Sequence, residues 1–253
     1  MQRKVPAKRA TRANPREDRN QPNHAEDRQR FNIIPIKKVN IFPKSLAQEN
    51  YLDALDDSGK TIVIATGPAG TGKTFLSTMF AIKSLIEGRF KKIVITRPTV
   101  STGEDIGFLP GSLYDKLAPW SVPILDIFKE IYPAAAVERM IKDEVLEVAA
   151  LGMMRGRTLA NSIVMLDESQ NATPSQVLMM ATRIGNNSKL IINGDLKQHD
   201  RGFEHSGLKD IVERFKRYQA RGHVSQRIVV CEFGLGDIER NPVVEEVLRM
   251  YEN

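Results

Sequence analysis

Five short apolar runs punctuate the chain: Thr61–Thr66, Lys92–Thr96, Ser162–Leu166, Lys189–Asn193 and Arg227–Cys231. Each is rich in β-branched residues and bounded by turn formers or polar segments, the pattern of strands buried on both faces. Between them the apolar spacing becomes helical. A long helical segment runs from Phe75 and is stopped by Gly88. Ser45 is placed to cap another helix, with Gln48 three residues on completing a capping box. Thr173-Pro-Ser-Gln176 is a second capping box with proline at the first helical position, opening a helix expected to end at Gly185. Leu208, Ile211, Val212, Phe215 and Tyr218 share one helical face, and Asn241-Pro242 opens a last helix through Val247 and Tyr251. Strands alternating with helices predict an α/β fold, a mostly parallel sheet with helices on both faces. Ligands of such sheets bind beyond the C-terminal ends of the strands, so the residues after each run are where chemistry is expected.

The first run is followed by Gly67-Pro68-Ala69-Gly70-Thr71-Gly72-Lys73-Thr74, which matches G-x-x-x-x-G-K-[ST]. A strand, a glycine loop and a helix in this order aim backbone N–H groups and a helix N-terminus at an anion. Lys73 offers a point charge to the β- and γ-phosphates of a nucleotide, and Thr74 has the hydroxyl expected on Mg²⁺. The segment predicts binding of a nucleoside triphosphate, ATP with Mg²⁺.

Three further loops fall at the same edge. After the second run, Arg97, Thr99 and Thr102 stand in a stretch dense in hydroxyls and glycines, suited to contacts with the phosphate chain of a nucleic acid. After Leu166 come Asp167, placed to hold Mg²⁺, and Glu168, free to orient and deprotonate the attacking water. The fourth run ends in Asn193-Gly194-Asp195, with Gln198 close behind, polar groups that could sense the γ-phosphate through that water. Arg201 and Arg240 are candidate arginine fingers.

Charge alters the picture at one end only. Residues 1–30 hold nine Lys and Arg against four acids, a net +5, whereas the remaining residues hold 28 basic and 27 acidic ones. With no aromatic residue before Phe31 and prolines at 6, 15 and 22, residues 1–32 are expected to be a disordered basic tail ahead of one domain over 33–253. The tail's composition suits an arm on nucleic-acid phosphates, a targeting peptide or a solubilising extension. No apolar run reaches the ~20 residues of a membrane helix, no metal-ligand spacing links the four histidines, and the single Cys231 fits a reducing, cytoplasmic setting.

The order of these motifs resembles the PhoH-like family of P-loop ATPases, related to the superfamily 1 helicase core. The resemblance is carried by the glycine loop, Thr96-Arg97-Pro98-Thr99, Gly107-Phe-Leu-Pro-Gly111, Arg155-Gly-Arg-Thr158, Asp167-Glu-Ser-Gln-Asn171, Gly194-Asp195 and Asp237-Ile-Glu-Arg240. It implies a RecA-like P-loop domain in which the Asn193 strand lies between the glycine-loop strand and the Asp167 strand. It also implies ATP hydrolysis, an adenine-side contact from Gln48, and a link to phosphate starvation and RNA metabolism. Ser169 stands where many relatives have alanine, and Asn241 where they have histidine. Residues 1–42 are too short for the nuclease-like domain that some relatives carry, so no nuclease site is expected. The leading expectation is an Mg²⁺-dependent ATPase acting on RNA or single-stranded nucleic acid, as a helicase or remodelling motor. The alternative is an ATP-dependent switch or assembly factor with a protein partner. Superfamily 1 motors close a second RecA-like domain over the nucleotide and this chain has strands for one, so a homo-oligomer, a hexameric ring with Arg240 or Arg201 reaching a neighbour, is expected, with action of either arginine within its own subunit as the alternative.

Overall fold

Six parallel strands form one sheet: β1 (Ile62–Thr66), β2 (Lys92–Arg97), β3 (Leu146–Ala150), β4 (Ser162–Leu166), β5 (Lys189–Gly194) and β6 (Ile228–Glu232), ordered β3-β2-β4-β5-β1-β6. This computed structural model describes residues 35–98, 113–198 and 206–240, with positions 243, 246, 247 and 250 of a terminal helical stretch; over 113–120 it describes the backbone alone. The chain divides into two units, residues 1–32 and 33–253, and every described residue belongs to the second. The tail, Thr99, Thr102, Arg201 and Asn241-Pro242 lie outside the described residues.

The β5 strand sits between β1 and β4, as the resemblance implied. Register is set by apolar pairs such as Ile64 with Ile192 and Val164 with Leu190. Both faces are covered, which is why the strands read as continuous apolar runs. One face is closed by α5 (Pro174–Ala181) and α6 (Gly207–Ala220), whose Val177, Met180, Leu208 and Val212 pack on Ile64, Val94, Val164 and Ile192. The other carries α1 (Leu46–Asp56), α2 (Lys73–Ile86), α3 (Leu113–Ile131) and α4 (Ala134–Lys142), with Tyr51, Leu55, Phe80 and Phe128 buried.

Three local expectations need correction. Strand β3 was not among the five runs. Its sequence, Leu-Glu-Val-Ala-Ala, is made largely of good helix formers, and it is pairing with β2 that makes it a strand. Helix α5 ends at Ala181 rather than Gly185, because Ile184 bridges to Leu159 and the Gly185 N–H donates to the Leu159 carbonyl at 2.7 Å. The Ser45 cap holds, its hydroxyl accepting from Gln48 N at 3.2 Å, but Gln48 Oε1 accepts from Lys44 N at 2.8 Å instead of closing the box. The Thr173 box closes on both sides.

Candidate functional site

The glycine loop joins β1 to α2 at the carboxyl edge of the sheet. Gly72 stands at the N-cap of α2 with φ +84°, a left-handed conformation that favours glycine, and so turns the first helical N–H groups into the cleft. At Gly67 a Cβ would lie 2.5 Å from the Phe233 carbonyl oxygen, so only glycine fits between the loop and the strand end beyond β6. Lys73 Nζ is folded onto the loop, donating to the carbonyls of Gly67 and Pro68 at 2.7 Å each and to Thr71 Oγ1 at 3.2 Å. Burial lowers the pKa of Lys73, and Asp195, Asp167 and Glu168 oppose that shift.

Asp167 follows β4 and is 2% exposed. Thr74 Oγ1 donates to its Oδ1 at 2.8 Å, while Arg97 donates to Oδ2 from Nη2 at 2.6 Å and Nε at 3.1 Å. Buried charge of this kind requires a counter-charge, and the Arg97 guanidinium supplies it. A hydroxyl and a carboxylate, both hard oxygen donors at the phosphate end of the cleft, fit Mg²⁺. Glu168 is left-handed, φ +52° and ψ +38°, a costly conformation for a residue other than glycine. That turn leaves its side chain 45% exposed, with Oε1 3.6 Å from Arg97 Nη2.

The surrounding cleft has a volume of about 510 Å³ and is lined by Lys73, Thr74, Asp167, Glu168, Asp195 and Gln198, together with Gln48 and Arg240. The fold thus brings together most of the residues marked in the sequence. The family description "PhoH-like protein" matches residues 40–252.

The chain belongs to the PhoH-like family. It is 38% identical over 218 residues to the PhoH-like protein of Bacillus subtilis (strain 168), covering 85% of this chain and 65% of that one. Protein PhoH of Escherichia coli (strain K12) is 37% identical over 215 residues, 83% of this chain and 58% of that one. The chain therefore spans less than two thirds of the length of these curated relatives. Among solved structures, the large terminase of a thermophilic bacteriophage in complex with ADP superposes with a TM-score of 0.53 at 17% identity, over 83% of this chain and 51% of that one. That likeness is one of fold, the RecA-like P-loop sheet.

Four residues of this PhoH-like domain have surroundings that the sequence did not show. Asn193 is 1% exposed and does not line the cleft. Its amide accepts from Tyr51 Oη at 2.8 Å and donates to Ser77 Oγ at 2.9 Å, which fixes it between β5, α1 and α2. The side chain of Arg240 packs over Gly70 of its own chain, its Cδ 2.9 Å from where a Cβ would stand. The adjoining Glu239 N–H donates to the Gly70 carbonyl at 2.9 Å. Arg97, expected on nucleic acid, holds the two acids. Gln48 Nε2 donates to the Thr71 carbonyl at 3.2 Å, so this amide braces the loop from beneath.

Sequence reasoning missed the apolar end of the cleft, made by Phe42, Phe75, Leu76, Pro123 and Ile127. Phe42 is 78% exposed, and its place just ahead of the Ser45 cap was the one available signal. Among the described residues no group of acids, histidines or cysteines is arranged to hold a metal by itself, and no helix is long and apolar enough to cross a membrane.

Proposed function

We propose that this chain is an Mg²⁺-dependent ATPase that acts on RNA or single-stranded nucleic acid as a helicase-like or remodelling motor. The observation that carries the catalytic part is the Thr74–Asp167 hydrogen bond at 2.8 Å, with Glu168 turned out of the sheet beside it. The N–H groups at the start of α2 receive the phosphates, and Lys73 exchanges loop carbonyls for phosphate oxygens. Thr74 and Asp167 would hold Mg²⁺, which when bound neutralises charge on the β- and γ-phosphates. Glu168 accepts the proton of the attacking water. Arg240, over Gly70, stabilises negative charge that develops at the γ-phosphate. The Phe42 end gives the base an apolar ring to lie against.

Glu168→Gln should leave nucleotide binding within about twofold of wild type and lower turnover by roughly 10²–10⁴, the usual worth of a general base. Turnover near wild type in that variant would remove Glu168 from the mechanism.

The polymer reading rests on the +5 tail and on the loop that leaves β2 at the same sheet edge as the P-loop. Added RNA or single-stranded DNA should stimulate hydrolysis. Unchanged rates across polymers and salt concentrations would leave instead the nucleotide switch with a protein partner. We further propose a homo-oligomeric ring, a hexamer, in which another copy closes the γ-phosphate side of the cleft. Arg240 or Arg201 is the proposed finger, and mixing Lys73→Ala subunits with Arg240→Ala subunits tests whether Arg240 acts across the ring. Sedimentation of the nucleotide-bound protein tests the assembly.

A further inference from the structure

Between the two catalytic loops lies a side chain to which the mechanism above gives no part. Gln170 is 3% exposed, in the short 3-10 turn Ser169–Asn171 after Glu168. Its Nε2 donates to Glu168 Oε2 at 2.6 Å, and its Oε1 accepts from the backbone N–H of Asp195 at 3.1 Å. Chemistry fixes which way the amide lies, since a backbone N–H can only donate and an ionised carboxylate can only accept. The same turn is fastened a second time, by Ser169 Oγ donating to the Asn193 carbonyl at 2.7 Å. Gly194 completes the joint: a Cβ there would fall 2.6 Å from Gln170 Oε1 and 2.8 Å from Ser169 Oγ.

We propose that Gln170 is a positioning residue for hydrolysis, tying the carboxylate of Glu168 to the backbone at the tip of β5. This rests on the ATPase reading and deepens it. Glu168 is half in solvent, and its left-handed backbone does not by itself fix the carboxylate. Apart from Arg97, which reaches its other oxygen at 3.6 Å, Gln170 is the neighbour that holds it among the described residues. Through Gln170 the base and the Asp195–Gln198 loop are held in one arrangement, so that a lytic water held by Asp195 or Gln198 meets a base already set in place. The charged groups facing this joint are Glu168, Asp167, Asp195, Arg97 and Lys73.

Two variants of the full chain test the proposal beside wild type and Glu168→Gln. Gln170→Met keeps the length and loses both hydrogen bonds. It should lower kcat by about 10–100-fold, the effect of a misplaced general base, while the Kd for a fluorescent ATP analogue stays within about twofold. Gln170→Glu can bridge the same two partners only while it keeps a proton. Two adjacent carboxylates repel each other once both are ionised, so its activity relative to wild type should fall as pH rises. Circular dichroism and the analogue Kd show that each variant is folded. If Glu168→Gln is inactive but folded Gln170→Met turns over within threefold of wild type, or Gln170→Glu has the wild-type pH profile, the role of Gln170 is refuted and the ATPase reading stands. If Glu168→Gln turns over normally, the role of Gln170 falls with that of Glu168 while the ATPase reading stands; if wild type binds the analogue without hydrolysing ATP, both readings fall.

Discussion

Asn193 near the end of β5 and Asp167 just past the end of β4 belong to neighbouring strands at one edge of the sheet, and both are almost wholly buried. Their surroundings differ in kind. Asn193 is neutral, lies within its strand, and has its amide used by Tyr51 and Ser77. Burial keeps the Tyr51 hydroxyl protonated far above its ordinary range, so this cluster carries no charge. Asp167 lies one residue beyond its strand and is held by groups that can be exchanged, a P-loop hydroxyl and a guanidinium. The first cluster fastens helices α1 and α2 to the sheet. The second holds a carboxylate at the wall of the cleft. What separates them is depth along the strand, since a polar residue inside the ladder meets the packed helices and one past it meets the cleft.

The comparison is broken most strongly at Asp167. Asp167→Asn should reduce turnover by at least about 10²-fold and raise the Mg²⁺ concentration needed for half-maximal rate, since charge stabilisation by a metal is worth several kcal/mol. An unaltered Mg²⁺ dependence would show that Asp167 holds Arg97 and nothing more. Asn193→Ala should show the opposite profile. It removes the buried acceptor of the Tyr51 hydroxyl and the amide on Ser77, which costs roughly 1–3 kcal/mol of stability, with kcat of the folded protein within about threefold of wild type. A loss of kcat without a loss of stability would put Asn193 in the chemistry after all.

The smallest effect is a pH dependence at the other end of β5. Lys189 is buried, its Nζ donating to the carbonyls of Leu55 at 2.6 Å and Asp57 at 2.8 Å at the end of α1. Burial lowers its pKa to about 8 from an ordinary value of 10.5. With the folded value below the unfolded one, Lys189 costs stability below pH 8, and the cost is relieved as pH rises from about 8 towards 10.5. The carbonyls favour the charged form, so a gain of about 1 kcal/mol is expected. Denaturant melts of wild type and Lys189→Met between pH 7 and about 10 should differ in slope, and parallel curves would contradict the shift.

Much of this fold is legible because a two-faced parallel sheet prints itself as apolar runs. Five strands, the Thr173 box and the glycine loop follow from such local rules. Strand β3 does not, since its pairing with β2 is decided by tertiary packing over residues that prefer a helix. In the site, the glycine loop and the Asp167-Glu168 pair can be read because their spacing carries the chemistry. The direction of a side chain cannot be read that way. Nothing in the string distinguishes Asn193 turned inward from Asp195 turned outward, or shows Arg97 spending its charge on Asp167. The Gln170 bridge likewise depends on two loops, after β4 and β5, that only the sheet order makes neighbours.

The segment after β6 bears on how the protein is made. Phe233 closes on Gly67, and Glu239 and Arg240 on Gly70, some 170 residues earlier in the chain. During synthesis the glycine loop therefore leaves the ribosome long before its own wall does. A nascent chain stalled ahead of residue 233 would carry the whole phosphate-binding sequence without the surface that keeps it folded back. Capture of nucleotide should then await that wall, and its appearance on ribosome-bound chains of increasing length would time the arrival of β6 and the turn beyond it.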